Sequence, residues 1–220
     1  VTKQDGPTTQ NCAVFVRGNG VADIQGGTLI GNRGIYVGGE WGGGTLTVSG
    51  GTISAPGSTG KQHIFGRGAF TISGNAQIDV SMTLDGTLYA NGGTVSGVVT
   101  SKGAITGSEG AAGTTTFTGA VVNDGTIRGG VFEGEVTNKE DGTIKDGTFK
   151  KKMENEGTIE GGTFEDTVRS RTRYGAQKAA VIRDGTFNAL WRATAASRTA
   201  CLPVLWRARA PSAAVRSRTR

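Results

Sequence analysis

The sequence predicts an all-β chain coiled as a parallel β-helix, a β-solenoid. Three observations carry the prediction: an excess of glycine, a three-residue box that keeps returning, and apolar residues held in columns along the chain. Glycine supplies 39 of 220 residues, about 18% of the chain against a usual background near ~7%. Hydrophobic residues make up only 35%. No apolar run approaches the ~20 residues that a membrane-spanning helix needs. Gly does not recur at every third position, which excludes a collagen helix. Two Cys make neither a disulfide framework nor a four-thiolate zinc site.

The box is Gly-Thr-apolar. It occurs at Gly27-Thr28-Leu29, Gly51-Thr52-Ile53, Gly86-Thr87-Leu88 and Gly125-Thr126-Ile127, and twice each in 142–149 and 157–164. One apolar column runs Ile24, Val48, Ile72, Val95, Phe117, Phe132, Phe149, Phe164, Phe187, with steps of 24, 24, 23, 22, 15, 17, 15 and 23. A second holds Val99, Val121, Val136, Met153 and Val168, and a third Ile105, Ile127, Ile144, Ile159 and Ile182. Thr, Val, Ile and Phe suit a pleated surface, and no 3.6-residue stripe runs through these short stretches. One repeat cannot bury its own apolar side chains. Stacking repeats at the ~4.8 Å strand spacing buries them as ladders and pairs the backbone above and below. Gly serves the corners, where positive φ or close backbone approach is needed. Disordered Gly/Thr sequence does not require three registers, and a β-sandwich of hairpins does not produce matching columns across so many units. Crossover handedness favours a right-handed coil.

Taken in order, residues 1–19 are a lead-in or partial cap. Residues 20–116 are expected to form wide rungs of 22–24 residues, and 117–187 narrow rungs of 15–17, with a disturbed segment at 169–181. From about Asn188 the columns stop, and 188–220 reads as a basic tail, disordered or translated out of frame. The hexapeptide Val168–Arg173 returns as Val215–Arg220 and breaks the column pattern. Read one frame over, Arg209–Ser217 can encode Gly-Thr-Ile-Ser-Gly-Gly-Thr-Phe, the repeat box itself.

Charge divides the same way. The formal net charge is +6, yet residues 1–167 hold 12 Lys/Arg against 17 Asp/Glu, and residues 188–220 hold seven Arg and no acid. The body is mildly acidic, so the overall basicity does not point to nucleic acid.

The phrases Gly50-Gly51-Thr52-Ile53-Ser54, 141–149 and 156–164 resemble the Gly-Thr-rich repeats of bacterial cell-surface, adhesin-like proteins with a pectin-lyase-like parallel β-helix. The resemblance covers about residues 20–167. It implies secretion or surface display and a structural or adhesive stalk rather than a particular chemistry. The chain starts at Val1 with no signal-peptide pattern or wall anchor in view, and reads as a fragment or processed product. The expected partners are a glycan or a host or cell-surface protein, with no nucleic acid, no membrane span, no cofactor and no metal.

The alternative is a carbohydrate-active β-helix enzyme, a polysaccharide lyase or hydrolase. Hydrolysis needs a suitably spaced carboxylate pair. Asp79 and Asp85 are the nearest candidates, and they read as turn or solvent-face carboxylates. No catalytic residue is assigned. His63 is the only His and reads as a loop residue. The stretch 18–24 faintly resembles a calcium-binding nonapeptide but reads as a plain turn. Glu133, Glu135, Glu140, Asp141 and Asp146, interleaved with Lys139, Lys145 and Lys150–Lys152, read as a solvated charged face. Tyr36 and Trp41 are the candidate glycan contacts, because exposed aromatic rings stack on sugars. Cys12 and Cys201 lie too far apart along a rod to pair. The Thr-rich row at 114–116 raises ice binding, which the lack of an in-register Thr-X-Thr array argues against.

Overall fold

A computed structural model of the chain describes residues 14–16, 18–30, 35–37, 43–54, 63–107 and 114–195. Every regular element among them is a β-strand, and every strand pairing is parallel, as in Val99–Ser101 on Val121–Asn123 and Thr143–Phe149 on Thr158–Ile159. The chain alternates between a ten-stranded and a fourteen-stranded sheet. Side chains along each strand alternate between the interior and the outer face. In Val99-Thr100-Ser101 and Val136-Thr137-Asn138 the outer residues of each triplet are buried and the Thr faces out. That alternation is the two-residue period of a strand buried on one face.

The second and third apolar columns form as the spacing predicts. Val99, Val121, Val136, Met153 and Val168 stand in line in the ten-stranded sheet. Ile64 and Met82 extend the line toward the N-terminus. Ile105, Ile127, Ile144, Ile159 and Ile182 stand in line in the other sheet, and Leu46, Phe70 and Leu88 extend it. From Phe117 onward the first column is a stack of rings. Centroids of Phe117, Phe132, Phe149, Phe164 and Phe187 follow one another at 4.8–4.9 Å with planes within 11°. That separation is the strand spacing itself, so the backbone sets the stack.

The first column is not continuous, however. Ile24, Val48 and Ile72 are in register and lead to Ala90. Val95 belongs beside Ile78 and Phe117, in a parallel line that includes Ile53. The pairing shifts between Gly92 and Thr94, where Gly92 and Gly93 both take positive φ. The interval from Ile72 to Val95 therefore joins two columns.

The division into wide and narrow rungs fails for the same reason. Along the line Leu46, Phe70, Leu88, Ile105, Ile127, Ile144, Ile159, Ile182 the steps are 24, 18, 17, 22, 17, 15 and 23. Short steps occur in both halves, and the long ones hold extra residues. One insertion lies between Ile105 and Thr116. Thr87–Val95 pairs with both Ala104–Thr106 and Thr116–Phe117, and both pair again with Thr126–Phe132, so these four strands close a loop of pairings. An unbroken coil of identical turns has no such loop.

The pairing also passes the expected boundary at 188. Val168–Thr172 lies on Met153–Asn155 with Val168 and Ser170 buried, and Trp191–Ala195 lies on Val168–Thr172. The hexapeptide at 168 thus follows the column pattern. Residues 196–220, including Cys201 and the second copy of the hexapeptide, lie outside the described residues, as does Cys12.

Among the described residues the interior carries a polar line. Asn123, Asn138 and Asn155 are fully buried and in register, between Ser101 and Ser170. Asn123 Nδ2 donates to Asn138 Oδ1 at 2.7 Å, Asn138 Nδ2 to Asn155 Oδ1 at 2.8 Å, and Asn155 Nδ2 to Ser170 Oγ at 3.1 Å. Each amide also donates to a carbonyl of its own corner, at Gly125, Gly142 and Gly157. One residue type thus closes the turn and locks it to the next, which is how buried polar groups avoid the cost of an unmade bond.

Candidate functional site

An open groove of about 540 Å³ lies on the outer face of the fourteen-stranded sheet, within the volume range of small-molecule sites. Its floor is Thr45, Ala69 and Thr87, which occupy one register position on three successive strands. Beside them run Gly44, Gly68 and Gly86. A Cβ on Gly68 would fall 2.2 Å from the carbonyl oxygen of Gly44, and one on Gly86 would fall 2.1 Å from that of Gly68. The corner therefore excludes side chains, and the bare corner is what leaves the space open.

Tyr89 lines the groove from the strand Thr87–Val95. It faces outward because Leu88 and Ala90 on either side point into the core. Its register partners are Thr71 and Thr106, so a large ring stands between two short side chains. Arg67 lines the groove from the corner after His63–Gly66. Its Nε lies 3.6 Å from Asp85 Oδ2, on the corner of the next strand. Arg67 is half exposed, so the pair is screened and flexible. Asn19, in the turn before Val21–Ile24, completes the rim. The groove thus combines an aromatic face, a guanidinium, an amide and two threonine hydroxyls. It is mostly polar and holds no cluster of carboxylates.

The expected glycan contacts lie elsewhere or outside the described residues. The backbone of Tyr36 pairs with Phe15 and Phe65 in the ten-stranded sheet, and its side chain is not among those described. Trp41 lies outside the described residues. Asp79 and Asp85 are not brought together on a shared partner: Ser96 Oγ donates to Asp79 Oδ1 at 2.8 Å, while Asp85 faces Arg67. His63, expected in a loop, opens the strand His63–Gly66 opposite Ser81. Of the stretch 18–24, expected to be a plain turn, only Gly18 and Asn19 form one, with Gly18 at φ +59°, while Val21–Ile24 is a strand. Among the described residues no group of three His, Cys, Asp or Glu could hold a metal ion, and no helix is long and apolar enough to cross a membrane.

The charged residues of the C-terminal half pair along the outer faces. Lys150 meets Glu133 at 3.0 Å and Lys145 meets Glu160 at 3.4 Å, each across adjacent turns. The hydrogen bond that Lys150 donates to Glu133 holds its ammonium above the usual lysine range. The bond from Lys152 holds the Glu154 carboxyl below the usual carboxylate range, and Arg171 adds to the effect. Glu156 is the exception to this exposed pattern, because its carboxylate is buried. Arg173 Nε reaches it at 2.6 Å, Arg171 at 3.2 Å and Lys139 at 3.9 Å. These contacts fasten the insertion after Thr172 to the body, since one unpaired buried charge would be strongly unfavourable.

Sequence reasoning missed Tyr89, Arg67 and the asparagine line. The asparagines had a signal, because they recur at 15 and 17 residues, in step with the apolar columns. Tyr89 and Arg67 had none: their meeting depends on which residues the stacking brings to one face. Comparison with family models, with curated proteins and with solved structures finds no match to this chain.

Proposed function

We propose that the chain is a right-handed parallel β-solenoid, part of a secreted or surface-displayed bacterial protein, in which it serves as a stiff structural and adhesive repeat region. Its work is mechanical: it holds its outer faces, glycan-sized groove included, at a distance from the point of attachment. The observation that carries this reading is the phenylalanine stack, whose 4.8–4.9 Å ring spacing matches the strand spacing across five successive positions. A repeated interior contact of this kind makes each turn's stability depend on its neighbours. The Gly-Thr repeat style supports surface display.

Single-molecule pulling from the two termini tests the reading. A stack of turns releases in a series of small steps, each lengthening the chain by roughly 5–8 nm for about 15–24 extended residues. A single cooperative rupture of the whole chain would argue against it. Turnover of an acidic polysaccharide, read as new unsaturated products and abolished by Asp79→Asn or Asp85→Asn, would replace it with a catalytic function.

A further inference from the structure

We infer that the groove between Tyr89 and Arg67 binds a hexopyranose unit of an uncharged glycan. The inference rests on the reading that the outer faces serve partner binding, and it names the partner's chemistry. Four features of the groove point the same way.

First, a pyranose ring has an apolar face of axial C–H bonds, which packs on an aromatic ring, and Tyr89 presents such a ring with only Thr71 and Thr106 beside it in the register. Second, sugar hydroxyls donate and accept at once, so a site for them needs both kinds of partner. The Arg67 guanidinium and the Asn19 amide supply donors, while the Thr45 and Thr87 hydroxyls and the Asn19 carbonyl supply acceptors. Third, the lining holds one charged side chain, Arg67, and a carboxylate just outside the lining compensates it. Arg67 is balanced by Asp85 at 3.6 Å, so a carboxylated sugar gains little here, because its own charge would have to displace that of Asp85. Fourth, the floor is built from small residues on successive strands and from a glycine corner that cannot accept a Cβ. Its depth is set by the backbone stacking rather than by mobile side chains, so the site is formed before the ligand arrives, which limits the ordering cost of binding.

Saturation-transfer difference NMR on the full chain tests this, with cellotetraose, mannotetraose and trigalacturonate as probes. At least one neutral tetraose should show saturation concentrated on its ring C–H protons, with trigalacturonate several-fold weaker. Tyr89→Thr should reduce the neutral signal at least fivefold. This variant carries at position 89 the residue type of the neighbouring positions 71 and 106, so the strand is retained, and an unchanged circular dichroism spectrum checks that. Tyr89→Trp should keep the signal, and Arg67→Gln should weaken it about threefold or more. Equal or stronger saturation of trigalacturonate overturns the neutral class. Absence of saturation with all three probes, or a signal that persists in Tyr89→Thr, overturns the groove as the site. Stepwise unfolding without sugar binding would remove the groove and keep the mechanical reading. Binding accompanied by cleavage of the probe would do the reverse.

Discussion

Residues 45–106 and residues 116–187 are joined by the same parallel pairing but are filled differently. In the first region the interior columns mix shapes: Leu46, Phe70, Leu88 and Ile105 share one line, and Ile53, Ile78 and Val95 another. In the second, like stands on like, with five phenylalanine rings in one line and three asparagines in another. A mixed column is held in place by total volume, and many combinations of apolar residues satisfy it. A column of identical asparagines is held by directional bonds, which break when any turn slips. The two regions show two ways of fixing register on one backbone plan.

The largest expected effect comes from breaking the ring stack. Phe149→Ala removes a fully buried side chain that touches a parallel ring on each side, and should destabilise by about 5 kcal/mol. Phe70→Ala removes an equally buried ring that has aliphatic register partners, and should cost about 1 kcal/mol less, since two stacked contacts are absent. Urea denaturation of both variants measures the difference. Equal losses would mean that stacking adds nothing beyond burial.

A smaller loss is expected from the polar line. Asn138→Leu leaves Asn123 Nδ2 without its 2.7 Å acceptor, Asn155 Oδ1 without its donor, and the Gly142 carbonyl without a side-chain partner. At about 1–3 kcal/mol per unsatisfied buried group, partly relieved by the remaining bonds, a cost near 3 kcal/mol is expected. Thermal denaturation should show the transition both lowered and broadened.

The smallest effect has the opposite sign. Ser101 occupies the register position next to Asn123, and its buried Oγ has no hydrogen-bond partner. Gly103 stands two residues on, just as Gly125 follows Asn123. Ser101→Asn should therefore extend the line by one member, close its own corner, and stabilise by about 1 kcal/mol. A lowered midpoint in urea would show that the first region cannot accept the ordering device of the second.

How far these differences were legible follows from the residues. The phenylalanine, valine and isoleucine columns were readable because apolar type and spacing survive in the sequence. The break between Ile72 and Val95 was hidden because a 23-residue interval fits one long turn as well as a jump between two columns. Only the bend at Gly92-Gly93 decides, and glycine pairs are common here. That jump also produced the false contrast of wide and narrow turns. The all-β, parallel character was legible throughout, whereas the groove was not: Tyr89 and Arg67 are 22 residues apart and approach only because Ala69–Thr71 pairs directly with Thr87–Tyr89.

The asparagine line has a consequence for how such a chain changes over generations. Successive units from Asn123 to Asn155 offer one another the same asparagine and the same phenylalanine. Tandem duplication of one unit, or its loss, therefore leaves both new junctions with amide facing amide and ring facing ring. A deletion running from Asn138 through Glu154 would set Asn155 on Asn123 and Phe164 on Phe132. Length becomes a quantity that recombination can adjust without redesigning the interior, and a lineage can lengthen or shorten its reach while every seam stays closed.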